Sequence, residues 1–115
     1  MSTEIKKLNL KIDITGLELG EEEKKLTPIG LSTRVMSNVM FGYSTQVRGL
    51  SKPERTQFWR IGKQFDKAVK EGIETIELDS TDAGFIRKCF RESKLNPSEL
   101  LERVESLVDS MEGYR

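Results

Sequence analysis

No histidine occurs among the 115 residues. That absence removes the commonest general base, the imidazole metal ligands, and every serine or cysteine arrangement that depends on imidazole. A single cysteine, Cys89, rules out an intrachain disulfide and the ligand sets of structural zinc. Long apolar runs are missing too, and Lys6 and Lys7 break up the first segment, so neither a signal peptide nor a membrane span is expected. Net charge is absent as well, because nineteen basic side chains balance nineteen acidic ones. Attraction to nucleic acid or anionic lipid would have to come from a local patch. Together these absences predict a cytoplasmic protein outside the membrane, with no cofactor, no metal and no catalytic apparatus.

What remains is the composition of a folded chain. Hydrophobic residues make up 36% and charged residues 33%, and 115 residues is a usual length for one core, so a single domain over 1–115 is expected. Leu8, Leu10, Ile12 and Ile14 alternate with polar residues, the period-two pattern of a half-buried strand. Gly16 and Gly20 then bracket a short segment, and the acidic run from Glu21 to Glu23 reads as a turn leading into a weak second strand near Glu23 to Leu26. Thr27 and Pro28 predict a helix start with a Leu26–Leu31 staple, and Gly49 a helix end. Leu31, Val35, Met36, Val39, Met40, Tyr43 and Val47 give that helix a broad apolar stripe.

A second helix starts near Ser51 to Pro53, carries Phe58, Ile61, Phe65 and Val69, and ends at Gly72. The two helices are expected to form an antiparallel hairpin. Ile76 and Leu78 predict a short strand returning to the first, and Asp79 or Ser80 then caps a helix with Ala83, Ile86, Cys89 and Phe90 inward. Asn96-Pro97-Ser98-Glu99 reads as the capped start of a last helix that stops near Gly113, with Leu95 and Leu100 as its staple. The expected fold class is α+β, a two- or three-stranded antiparallel sheet packed against about four helices, in the order β(β)ααβαα.

Few residues invite chemistry. Cys89 lies beside Lys88 and Arg91, yet it shares a stripe with Ile86 and Phe90, which predicts a buried, inert thiol. Gly16 and Gly20 lack a phosphate loop's lysine and precede three glutamates, and those glutamates lack the alternating spacing of a calcium loop. The stretch from Arg48 to Lys70 is more suggestive, with seven cationic side chains against Glu54 and Asp66. On helix 54–71, Trp59, Lys63, Lys67 and Lys70 fall on the flank away from the apolar stripe. Trp59, Arg60, Lys63, Lys67 and Lys70 are therefore the candidate contact residues. They could grip another protein, or a phosphate backbone with Trp59 stacked on a base, and a solvated helix face is the alternative to both.

The final helix mirrors this charge, with five acidic side chains against Arg103 between Pro97 and Glu112. The two opposite faces could meet within one molecule or between copies. Leu101, Val104, Val108 and Met111 recur at spacings of three, four and three, a seam suited to self-association as a dimer.

The run from Leu8 to Gly16, the capped helix from Thr27 through Val39, and Ile76-Glu77-Leu78-Asp79 leading into Ile86 resemble small accessory proteins encoded by tailed phages and prophages. That resemblance implies a host-directed or assembly-related binding protein, at work in the host cytoplasm, or a structural component of the virion. The overall expectation is a non-enzymatic protein-interaction module, with nucleic-acid binding through helix 54–71 as the alternative.

Overall fold

A computed structural model describes residues 5–46, 50–93 and 95–111. Strand β1 (Ile5–Asn9) pairs antiparallel with β2 (Thr75–Asp79), Leu8 opposite Ile76 and Lys6 opposite Leu78. All four of those side chains are buried on one face of the ribbon, as strict alternation requires. The ladder is shorter and earlier than the alternation from Leu8 to Ile14 predicts. Because β2 is only five residues long, the chain beyond Asn9 has little to pair with. The Leu10 N–H still donates to the Glu74 carbonyl at 2.7 Å, and Leu10 and Ile12 stay buried while Ile14 is exposed. Side-chain alternation outlasts the ladder because it needs only extended backbone.

Residues Glu21–Lys24 form α1, a single helical turn, where a second strand is expected. Three consecutive glutamates favour the positive end of a helix, and the Glu23 carboxylate accepts from the Gly20 N–H at 2.8 Å. The sheet accordingly has two strands among the described residues. Helix α2 (Pro28–Gln46) starts where the Thr27 hydroxyl accepts from the Gly30 N–H at 3.0 Å. Its Ser32 hydroxyl donates to the Leu10 carbonyl, which fastens the helix to the chain leaving β1. Gly49, Val47 and Arg48 lie outside the described residues, as does Gly113.

Helix α3 (Lys52–Glu71) has a reciprocal cap, with Glu54 N–H on the Ser51 hydroxyl and Ser51 N–H on the Glu54 carboxylate. It ends at Gly72, whose φ of +71° is the left-handed conformation a helix C-terminus favours in glycine. The inward face is Gln57, Ile61, Phe65 and Ala68, with Phe58 half-buried. Val69, placed inward by spacing alone, is 46% exposed, and Ala68 takes the buried position at that turn.

Helix α4 (Ser80–Arg91) follows β2 directly, and the Asp79 carboxylate caps it through the Asp82 N–H at 2.7 Å. Helix α5 (Glu99–Asp109) is capped by Ser98, which accepts from the Leu101 N–H at 3.1 Å. It therefore starts later than the Asn96-Pro97 motif suggests, and Pro97 precedes the helix. Its apolar stripe faces the chain's own core. Val104, Val108 and Met111 are fully buried and Leu101 is half-buried, so the seam read as a dimer contact is an intramolecular one. A stripe on a terminal helix carries the same spacing in either role, and here α5 packs on α2, α4 and β1. No described helix is long and apolar enough to cross a membrane.

Candidate functional site

The C-terminal half of α2 and the N-terminal half of α3 lie side by side and leave a shallow groove of about 420 Å³ between their outer faces. Phe41, Ser44, Leu50, Arg55, Phe58 and Trp59 line it. At about 100° per residue, Trp59 lies opposite Ile61 on α3, and Phe41 lies well away from Met36 and Met40 on α2. Helical geometry therefore turns both rings to water as their neighbours enter the core. Trp59 is 67% exposed and Phe41 62%. The half-buried Phe58 ring meets Trp59 edge to face, with centroids 5.9 Å apart, and so supports the indole from below.

Phe41 is absent from the residues that sequence reasoning singles out. Its signal was nevertheless present, as a large aromatic side chain off an otherwise consistent apolar stripe.

The basic candidates separate in space. Lys63 borders Trp59 across a second hollow of about 540 Å³, lined also by Thr56, Arg60 and Gln64. Lys67 instead borders a hollow shared with Lys7, Ile73, Thr75, Ile76 and Glu77, on the sheet side. Lys70 stands eleven residues beyond Trp59, about 16 Å along the helix axis. Arg60 is held elsewhere. Its Nε and Nη2 donate to the two carboxylate oxygens of Asp82 at 2.8 and 2.6 Å, and Asp82 is only 2% exposed. Arg60 thus joins α3 to the start of α4, and its guanidinium pKa is pushed further up by that hydrogen bond. Asp82 had no sequence signal beyond its place in the first turn of α4.

Behind the groove the helices are tied by Lys88. Its ammonium lies 3.6 Å from the Glu54 carboxylate and 5.6 Å from the centre of the Tyr43 ring. Glu54 does not line the groove, and its carboxyl is held below the usual range, chiefly by the Ser51 N–H. Cys89 is fully buried, and burial pushes its thiol up to about 12.

The basic helix α3 and the acidic helix α5 pack on partly different elements. Helix α3 packs on α2, α4 and β2, whereas α5 packs on α2, α4 and β1. Among the described residues no ion pair joins α3 to α5. Arg103 instead pairs with Glu99 at 2.6 Å and donates to the carbonyls of Asp13 and Thr15.

Among the described residues no cluster of cysteine, aspartate and glutamate side chains has the makings of a metal site. Comparison with family models, curated proteins and solved structures finds no match to this chain. Any assignment therefore rests on the chain's own residues.

Proposed function

We propose that this chain is a non-enzymatic protein-interaction module and that its partner docks on the face built by Phe41, Phe58 and Trp59. The observation that carries this reading is the pair of outward-turned rings, on neighbouring helices, flanking one groove. Large exposed aromatics clustered in one place mark contact surfaces, and tryptophan is over-represented among the residues that dominate binding energy. The non-enzymatic half rests on the groove's chemistry. Its six lining side chains include no histidine, carboxylate, cysteine or lysine. In a phage or prophage setting, the same face would engage a host protein or an assembly partner.

The test is capture from the cells that make the protein, with wild-type chain compared against Trp59→Ala and Phe41→Ala. Both rings are exposed, so each variant should lose under about 1 kcal/mol of stability and remain folded. A protein retained by the wild type and lost from both folded variants supports the reading. Equal retention by all three chains rejects it.

A second reading has its own support. Lys52, Lys63 and Lys70 share the outer face of α3 with Trp59, and this arrangement suits a phosphate backbone with one stacked base. It requires binding to an oligonucleotide that weakens steeply as salt rises, and an electrophoretic shift at low salt checks it.

A further inference from the structure

The charge around the aromatic groove narrows the partner. Helix α2 carries no carboxylate between Pro28 and Gln46. On α3, Glu54 is engaged by Ser51 and Lys88 and does not line the groove. Asp66, two turns beyond Trp59, is the remaining carboxylate between Lys52 and Lys70. Cations, by contrast, stand at the groove and beside it. Arg55 lines it, and Lys63 stands one turn past Trp59; neither has an ion-pair partner among the described residues.

Resting on the reading above, we infer that the groove takes an acidic segment of another protein, one that places a large apolar side chain between Phe41 and Trp59 and sets carboxylates against Arg55 and Lys63. The volume of about 420 Å³ accommodates one or two large side chains, and the unpartnered cations supply the charge complementarity that selects an acidic partner and speeds its encounter. A second copy of the chain fits less well. Its acidic helix α5 has buried Val104 and Val108 in its own core, so that helix offers carboxylates without the anchoring side chain. Nucleic acid also fits less well, because among the described residues the wall contributed by Phe41, Ser44 and Leu50 carries no cation to continue a phosphate track.

Selection from a random-peptide display library on the full chain, with Trp59→Ala and Phe41→Ala chains as counter-selection, tests this. The enriched peptides should combine several aspartate or glutamate residues with a large apolar one. Trp59 is the chain's one tryptophan, so a selected peptide, once synthesised, should shift its emission saturably. Arg55→Glu combined with Lys63→Glu should weaken that peptide about tenfold or more while leaving thermal stability unchanged. Enriched peptides that are neutral or basic overturn the acidic assignment and leave the aromatic face as a protein site. No enrichment over the counter-selected chains overturns both. A saturable shift with single-stranded oligothymidylate, without peptide enrichment, transfers the site to nucleic acid.

Discussion

Replacing Arg60 with alanine should destabilise the fold more than replacing Asp82 does, although both substitutions delete the same two hydrogen bonds. Asp82 is 2% exposed, whereas the Arg60 side chain is 48% exposed. Arg60→Ala leaves a buried carboxylate without its cation, a change that costs about 3–5 kcal/mol in a fully buried pair. Two features reduce that figure. Water already reaches half of the guanidinium and screens the pair, and the carboxylate sits in the first turn of α4, where the helix dipole favours negative charge. About 2–3 kcal/mol remains.

Asp82→Ala, by contrast, releases a guanidinium that can turn into solvent, so about 1 kcal/mol is expected. Removing both should cost less than Arg60→Ala alone, since no orphaned charge is left. At roughly 4 °C of melting temperature per kcal/mol for a chain of this length, the single variants separate by several degrees. Urea denaturation followed by circular dichroism gives the free energies. Equal losses, or a larger loss for Asp82→Ala, would refute the reasoning.

The Cys89 thiol should resist a thiol reagent such as dithionitrobenzoate in the native state at pH 8 and react at the rate of unfolding, because it is buried and its pKa lies near 12; a rapid native-state reaction would contradict its place in the core. The same shift has a pH consequence. The folded state holds that proton more tightly than an unfolded thiol near 9, so this contribution is complete below about pH 9 and declines as pH rises toward 12; Cys89→Ala should flatten that decline in pH-dependent denaturation. Val108→Glu should abolish cooperative unfolding by placing a carboxylate in the core, at a cost above about 4 kcal/mol. A folded Val108→Glu chain would show that α5 is not packed as described.

Much of the fold was legible because it follows from local chemistry. Ser51, Gly72 and Asp79 mark helix ends through hydrogen bonds or backbone conformations that a few neighbouring residues determine, whereas the last helix is capped by Ser98 and not by Asn96. The return of the Ile76 and Leu78 strand to pair with the first was legible from two matching alternations, and the structure adds the register that sets Leu8 opposite Ile76. Where the reading failed, a tertiary fact decided. Glu21 to Lys24 is too short for periodicity to separate a turn of helix from a strand, and the length of β2 sets how far β1 can pair. Val104 and Val108 carry a spacing common to core helices and dimer seams, so only packing distinguishes them. At the candidate site, the position of Trp59 followed from helical angle alone. The groove did not, since Phe41 and Leu50 come from the two sides of a connection that spacing cannot fold, and the engagement of Arg60 by Asp82 spans two elements.

The account's central claim, that a partner protein docks on the Phe41 and Trp59 face, is tested most directly by site-specific photocrosslinking in the producing cells. A photoreactive benzoylphenylalanine is placed at position 59, at position 41, and at Ser106 on the exposed side of α5. The account predicts the same second protein joined to positions 59 and 41, with none at 106. Crosslinking of that protein at 106 and not at 59 or 41 would contradict it.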